Sequence, residues 1–230
     1  MTLDTGMAPE LTPEQISAMR RTYGDQGIDE LPSDPFAFFS TWLEQAHKNP
    51  AIVEANAMVL STQDHNGKLS TRTVLLKDIS ANGFTFFTNY SSRKALAMHS
   101  NPHVTLLFPW YPLERQVIIS GEAEKISRSE SEEYFATRPW NSQIGAWASQ
   151  QSSPLSSRSE LEERWKSASE KWPEGSHVPT PPHWGGYRVS PSEIEFWQGR
   201  YSRLHDRVRF ERRTTSGTGE IDWEISRYYP

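Results

Sequence analysis

Two Asn-Gly pairs, at Asn66-Gly67 and Asn82-Gly83, each join runs of residues that favour β-strands. Asparagine followed by glycine is the strongest short-range signal for a β-hairpin, because both residues accept the left-handed backbone of a two-residue turn. Strands are therefore predicted at 57–62, 69–77 and 84–88, and similar runs predict strands at 103–108, 115–126, 186–189, 193–197, 207–210 and 221–227. Strands at hairpin spacing, without long helices between them, favour an antiparallel barrel or sandwich over a doubly wound sheet.

Helical patterns precede the strands and interrupt them. A first helix from Thr12 would place Arg20 and Tyr23 on one face, and further helices are predicted at 35–48, 92–99, 127–137 and 159–172. The last is expected to begin with the capping box Ser159-x-x-Glu162. We therefore predict a mainly β fold with peripheral helices (α+β), in which residues 1–50 form a helical segment of the same domain as the strands of 51–230.

The composition excludes several classes of chemistry. The chain has 230 residues, a formal net charge of -5 and no cysteine. The negative balance gives no general basic field for a nucleic acid. The missing thiols exclude disulfides, thiolate catalysis and cysteine-ligated metals. No metal site is expected, because His-Glu-x-x-His does not occur and Pro102 separates His99 from His103.

The sequence also lacks membrane signals. Its first residues have neither the positive start nor the apolar stretch of a secretory signal, and no run approaches the roughly 18 apolar residues of a membrane span. We therefore expect a cytoplasmic protein that does not associate with a membrane.

The segment 195–207 combines aromatic and cationic residues in a way that does not suit a core strand. If its second half is extended, the two-residue period places Arg203, His205 and Arg207 on one face. Such a face could hold an anion. A solvated, charged edge strand is the alternative interpretation.

Two other segments place cations near small polar residues. In Arg72-Thr-Val-Leu-Leu-Lys77 the cations are five residues apart, so they fall on opposite faces of a regular strand unless it bulges or Lys77 lies past its end. In 88–94, Ser92 leads into a helix whose first turn holds two cations. Cations there oppose the helix dipole, and the arrangement makes sense if a phosphate supplies the missing anion. An ordinary surface turn is the alternative.

A second phosphate site is predicted around the end of the helix at 127–137. Tyr134 and Arg138 are four residues apart and share a helical face, and Ser142 follows closely after Pro139 ends the helix. Gln116, among apolar strand residues, could present a donor and an acceptor to the edge of a heterocycle, or it could face water.

Five segments, in order along the chain, together resemble the pyridoxine/pyridoxamine 5′-phosphate oxidase family. They are Arg72-Thr-Val-Leu-Leu-Lys77, Phe87-Thr-Asn-Tyr-Ser-Ser-Arg-Lys94, Leu107-Phe-Pro-Trp110 with Glu114-Arg-Gln116, Arg138-Pro-Trp-Asn-Ser-Gln-Ile-Gly-Ala-Trp147, and Phe196-Trp-Gln-Gly with Arg203-Leu-His-Asp-Arg207. The resemblance implies an FMN-binding split β-barrel that works as a homodimer with two flavin sites at the subunit interface. It also implies oxidation of pyridoxine or pyridoxamine 5′-phosphate to pyridoxal 5′-phosphate, with oxygen as acceptor and hydrogen peroxide as product.

The resemblance further implies which residues would act. The cofactor would contact Arg72, Thr73, Val74, Leu75, Leu76, Lys77, Phe87, Thr88, Arg93, Lys94, Gln116, Gln151, Ser152, Trp197 and Arg207. The substrate would contact Lys77, Tyr134, Arg138, Ser142, Arg203, Leu204 and His205, with Arg20 and Tyr23 in a segment that can cover the pocket. Arg203 and His205 are the expected catalytic pair, orienting the substrate for hydride transfer.

Two departures and two alternatives accompany this interpretation. Phe87 stands where many members of the family have tyrosine, and Tyr228-Tyr229 stand where smaller residues are common. One alternative function is a related flavin oxidase acting on another heterocycle, such as the oxidases of phenazine assembly. The other is a non-catalytic protein that binds flavin or pyridoxal phosphate.

Overall fold

The computed structural model describes residues 11–19, 21–214 and 221–230. Within these residues nine strands form one sheet: β1 (Ala57–Gln63), β2 (Leu69–Leu75), β3 (Asp78–Ser80), β4 (Gly83–Asn89), β5 (His103–Trp110), β6 (Arg115–Lys125), β7 (Trp184–Gln198), β8 (Asp206–Thr214) and β9 (Ile221–Tyr228). The helices are α1 (Pro13–Ala18), α2 (Pro35–Lys48), α3 (Arg93–Ser100), α4 (Arg128–Ala136), α5 (Trp140–Ala148) and α6 (Arg158–Lys171).

The sheet is antiparallel at every pairing and curls on itself. Its order is β2-β1-β5-β6-β7-β4-β3, and β8 and β9 continue from β7. Where β2 ends, the Leu76 N–H donates to Asn56 O beside β1 (2.9 Å), while the next N–H, of Lys77, donates to Thr85 O in β4 (2.8 Å). Adjacent residues thus join strands from opposite ends of the sheet order. The mainly β fold with peripheral helices is confirmed.

Both predicted Asn-Gly turns occur, with positive φ at Gly67 (78°) and Gly83 (135°). Strands predicted separately at 186–189 and 193–197 form one long strand, β7. Pro191 does not break it, because it lies opposite Gly121 at a bulge between β6 and β7, where a missing N–H is tolerated. None of the helices in the described part of the chain has the length and apolar character needed to cross a bilayer.

Helix α2 packs on the barrel core through Phe39, which is fully buried. Its ring meets Phe84 and Phe108 edge-on, with centroids 5.0 and 4.9 Å apart. The described part of 1–50 therefore contacts the strands, and the proposed assignment of 1–50 and 51–230 to one domain stays a prediction.

Two helix predictions were wrong in detail, and one helix was missed. Helix α1 ends at Ala18, so Tyr23 is not helical, and Arg20 lies outside the described residues. Helix α6 is capped by the Ser157 hydroxyl, which accepts the Glu160 N–H, and not by Ser159. Helix α5 was not predicted, and Pro139 stands at its N-cap, immediately after the residues that end α4.

The predicted capping box Ser127-x-x-Glu130 is present and also ties α4 to β7. The Ser127 N–H donates to the Glu130 carboxylate (3.0 Å), and Arg188 in β7 donates to the same carboxylate (2.7 Å). Hydrogen bonds from Ser127 and then from Arg188 lower the pKa of Glu130 from 4.5 to about 2.

A Glu130→Gln variant should therefore lose stability in a pH-dependent way. The pKa is lower in the folded state, so the carboxylate stabilises the fold above pH 4.5 and this contribution disappears as the pH falls toward 2. We expect a loss of about 1 kcal/mol at pH 7, discounted for solvent screening because the side chain is 44% exposed. Urea unfolding at pH 7 and at pH 2.5 measures it, with Glu163→Gln as control. An equal loss at both pH values would contradict the assignment.

Candidate functional site

A cavity of about 610 Å³ lies between the end of β2, β4, α4 and α5. It is lined by Thr73, Val74, Leu75, Lys77, Phe87, Thr88, Asn89, Lys94, Tyr134, Thr137, Arg138, Pro139, Ser142, Gly145, Ala146, Ser149, Gln151 and Trp184. We call it the first cavity. This lining contains three cations and no carboxylate, so the first cavity suits an anionic ligand.

Lys94 is the centre of one cationic group in the first cavity. Its ammonium donates to Gln151 Oε1 (3.0 Å) and to Thr88 Oγ1 (3.2 Å). Burial, together with the positive charge of Arg72, lowers the pKa of Lys94. Burial and the charge of Arg93 likewise lower the pKa of Arg72. Among the described residues neither Lys94 nor Arg72 forms an ion pair, so an anion here would relieve their mutual repulsion.

Arg138 is the centre of a second group, with Tyr134 and Ser142 beside it in the cavity lining. Its guanidinium lies 4.7 Å from the ring centroid of Trp184, and its buried Nη1 has no hydrogen-bond partner among the described residues. Burial lowers the pKa of Arg138, partly offset by Tyr134. A buried donor without an acceptor costs free energy, and a phosphate oxygen would supply the acceptor.

The aromatic wall of the first cavity is a stack of three rings. Phe87 lies 3.9 Å from Tyr134 and 5.3 Å from Trp184, with interplanar angles of 18° and 12°. Phe87 thus keeps the aromatic stacking of this wall, although it lacks the hydroxyl that a tyrosine would have at this position. Trp184 was not predicted as a site residue, because nothing in the sequence around it distinguishes it from the other tryptophans.

A second cavity, of about 880 Å³, lies beside the loop before β8. It is lined by Met19, Arg21, Thr22, Tyr23, Ala51, Tyr111, Pro112, Arg200, Ser202, Arg203 and His205. Arg203, His205 and Tyr23 are thus brought together, as predicted for a substrate site. Arg21 and Arg200 were not predicted, although Arg21 lies between the predicted Arg20 and Tyr23, and Arg200 lies within the segment 195–207.

The predicted extended face of Arg203, His205 and Arg207 is wrong. Residues 201–203 form a 3₁₀ turn in which Ser202 (φ 54°) and Arg203 (φ 60°) are left-handed, and β8 starts only at Asp206. Arg207 lies in β8 and is held by the Glu195 carboxylate through Nε (3.1 Å) and Nη2 (2.9 Å). It does not line the second cavity.

The remaining predicted residues lie outside the first and second cavities. Gln116, Trp197 and Arg207 form a row across β6, β7 and β8, since Gln116 pairs with Trp197 and Trp197 with Arg207. We call these three residues the outer row. The other predicted residues lie in different surroundings. Arg72 donates to Leu60 O and to the hydroxyls of Thr62 and Ser70. Leu76 is in the core, Arg93 and Leu204 are exposed, and Ser152 lines a small cavity next to Gln151.

The position of Lys77 relative to the end of β2 was left open by the sequence. Strand β2 ends at Leu75, so Lys77 lies past the strand end and lines the first cavity beside Leu75. The predicted site residues of one protomer are therefore divided among the first cavity, the second cavity and the outer row.

Two family models match consecutive parts of the chain. Residues 43–170 match the family model for pyridoxamine 5′-phosphate oxidase. Residues 184–230 match the pyridoxine 5′-phosphate oxidase C-terminal dimerisation region. Two curated relatives are named pyridoxine/pyridoxamine 5′-phosphate oxidase. The one from Streptomyces avermitilis is 47% identical, over 93% of this chain and 96% of that protein, and the one from Cupriavidus necator is 48% identical, over 94% and 99%.

Solved structures agree with the fold. PhzG from Burkholderia lata 383, in complex with tetrahydrophenazine-1-carboxylic acid, aligns with a TM-score of 0.79 and 28% identity over 98% of this chain and all of that one. A pyridoxamine 5′-phosphate oxidase-related, FMN-binding protein from Nostoc punctiforme aligns with a TM-score of 0.67 and 15% identity, over 87% of this chain and all of that one. The split-barrel prediction is confirmed, and the chain belongs to the pyridoxine/pyridoxamine 5′-phosphate oxidase family.

Proposed function

We propose that the protein is an FMN-dependent oxidase that converts pyridoxine 5′-phosphate or pyridoxamine 5′-phosphate to pyridoxal 5′-phosphate, with oxygen as acceptor and hydrogen peroxide as product. The observation that carries the proposal is the first cavity, whose lining has two separate cationic groups and no carboxylate. FMN and the substrate each bring one phosphate, so the reaction needs two such groups.

FMN fits the group around Lys94. Lys94, Thr88 and Gln151 would hold its phosphate, because the ammonium is desolvated and repelled by Arg72 until an anion arrives. Thr73 to Leu75 line the same cavity and would contact the rest of the cofactor. When bound, FMN supplies the hydride acceptor and the route of the electrons to oxygen.

The substrate phosphate fits the group around Arg138. The orphan Nη1 of Arg138 would gain an acceptor there, and the hydroxyls of Tyr134 and Ser142 add neutral donors. Lys77 lies past the end of β2 and lines the same cavity as both cationic groups, so we place its ammonium between the two ligands. The chain would thus fix the phosphate end of the substrate and leave its ring free to lie against the flavin.

We further propose a homodimer in which each site takes residues from both protomers. The outer row and the second cavity carry the other predicted contacts, and Trp197, Arg203, His205 and Arg207 all lie within the matched dimerisation region. If that region of one protomer covers the first cavity of the other, the divided site residues come together. Arg203 would then act as a fixed charge, since arginine does not give up its proton.

The decisive experiment is anaerobic mixing of the holoenzyme with pyridoxine 5′-phosphate. We expect the flavin absorbance to bleach and to recover when air is admitted, with hydrogen peroxide formed in equal amount to pyridoxal 5′-phosphate. Tight binding without bleaching would contradict the proposal and support the non-catalytic alternative.

The similarity to PhzG supports one competing function, oxidation of a reduced phenazine carboxylic acid. The same flavin assay with a dihydrophenazine carboxylic acid compares the two. Pyridoxine 5′-phosphate should be the much better substrate, because the group around Arg138 is suited to a phosphate dianion. Faster bleaching by the phenazine acid would favour the competing function.

A further inference from the structure

His205 is held by a hydrogen bond that determines which of its ring nitrogens carries the proton. The backbone N–H of Arg200 donates to His205 Nδ1, with an N···N distance of 3.0 Å. A backbone amide nitrogen can only donate, so Nδ1 must present its lone pair. In the neutral imidazole the proton is then on Nε2.

This hydrogen bond also closes the loop that presents Arg203. Ser202 and Arg203 are consecutive non-glycine residues in the left-handed region. Such residues persist only where the surrounding structure holds them. The Leu204 N–H donates to Tyr201 O (3.1 Å), and the bond from Arg200 to His205 spans the whole loop. The acceptor at Nδ1 is therefore part of what maintains the loop.

Contacts from other elements hold the plane of the imidazole, and the bond from Arg200 determines which edge faces that residue. Its ring lies 4.8 Å from Trp197 in β7 and 5.4 Å from Tyr23, which approaches edge-on. The Tyr201 N–H donates to Gly24 O (3.0 Å), so the segment containing Tyr23 is tied to the same loop. Turning the ring over would keep these ring contacts, but it would place Cδ2 where Nδ1 stands and break the bond from Arg200.

The other ring nitrogen is left for a ligand. Within the described residues nothing bonds to Nε2, and His205 lines the second cavity. A proton acceptor would need a lone pair on Nε2, and the neutral ring could offer one only with its proton on Nδ1. That proton would point at the N–H of Arg200.

We propose that neutral His205 donates a hydrogen bond from Nε2 to an acceptor atom of the substrate and does not accept a proton from it. The inference rests on the proposed function, which places His205 at the substrate.

Two substitutions separate the roles of the two nitrogens. In His205→Gln the amide NH₂ can lie near the position of Nε2 and keep the donor, whereas in His205→Asn the amide oxygen can lie near Nδ1 and keep only the loop contact. With pyridoxine 5′-phosphate, we expect the glutamine holoenzyme to stay within about 10-fold of the unaltered protein in kcat/KM. The asparagine variant should lose roughly 10- to 100-fold, mainly through KM, as for a lost hydrogen bond to a charged or strongly polar partner. His103→Gln, at an exposed histidine in β5, is the control.

Other patterns would overturn the inference. Equal, large losses of kcat in both variants would indicate a proton acceptor. Full activity in both, or better activity in the asparagine variant, would show that donation from Nε2 is not used.

A measurement without substrate tests the tautomer itself. In protein labelled with ¹⁵N-histidine, the signal that disappears in His205→Gln should show a proton on Nε2 and a bare Nδ1. A proton on Nδ1 would overturn the inference, whatever the enzyme assay shows. If instead the unaltered holoenzyme fails to bleach with pyridoxine 5′-phosphate, the proposed function fails while the tautomer assignment can still hold.

Discussion

Arg138→Met should lower kcat/KM for pyridoxine 5′-phosphate by at least roughly 100-fold, because hydrogen bonds to a charged group contribute about 1.5–3 kcal/mol each and one guanidinium can give a phosphate two of them. The loss should be confined to phosphorylated substrates. Pyridoxine itself has no phosphate, so its much slower oxidation should change little. Steady-state peroxide release with the two substrates measures the difference.

The same substitution should leave the fold intact. Arg138 is desolvated, its buried Nη1 has no partner among the described residues, and its stacking on Trp184 can be replaced in part by the methionine side chain. We therefore expect an unchanged or slightly raised melting temperature for the protein without substrate. Arg158→Met, at an exposed arginine of α6, is the matched control. Equal losses with pyridoxine and its phosphate would remove Arg138 from the phosphate site.

Glu195→Ala should cause the largest loss of stability of any single change considered. The carboxylate is 5% exposed and holds two arginines, Arg207 and Arg209, each with one bond of 2.9 Å. Removing one partner of a buried ion pair costs about 3–5 kcal/mol. We expect about 2–4 kcal/mol, because the arginines stay 31% and 23% exposed. For a chain of this size the melting temperature should fall by roughly 5–15 °C.

Calorimetry at one fixed protein concentration measures this loss, since association would otherwise shift the midpoint. Glu224→Ala is the control, because its pair with Arg213 is 55% and 58% exposed and such pairs contribute about 0–1 kcal/mol. A melting temperature for Glu195→Ala within the range of that control would mean that the two arginines are satisfied by solvent. Weaker retention of FMN is a second expected result, because Glu195 holds Arg207 in the outer row.

The sheet could be predicted well because its signals are local. The turns at Gly67 and Gly83 are specified by adjacent residues, and strands β1 and β5 alternate buried and less buried positions. The start of α6 could not be decided in this way. Ser157 and Ser159 are each followed three residues later by a glutamate, and only the folded backbone shows which serine lies outside the first helical turn.

The site was predicted in its residue types more than in its geometry. Cations near hydroxyls drew attention to Lys94 and Arg138, which the structure places in one cavity, and their role as phosphate sites stays a prediction. The alternation rule failed at 201–203, since neither serine nor arginine signals a left-handed backbone. The pairing of Glu195 with Arg207 depends on the register of β7 against β8, which no local pattern specifies.

The length of β7 has a genetic consequence. Trp184, at its start, lines the first cavity, and Trp197, near its end, packs against His205, so the strand length between them is at most roughly 40 Å at about 3.3 Å per residue. Within one polypeptide the two ends of β7 therefore lie at different cavities. In the proposed dimer, two chains carrying defects at opposite ends of this strand could pair to restore one intact catalytic centre, whereas either defective chain paired with its own kind would restore none.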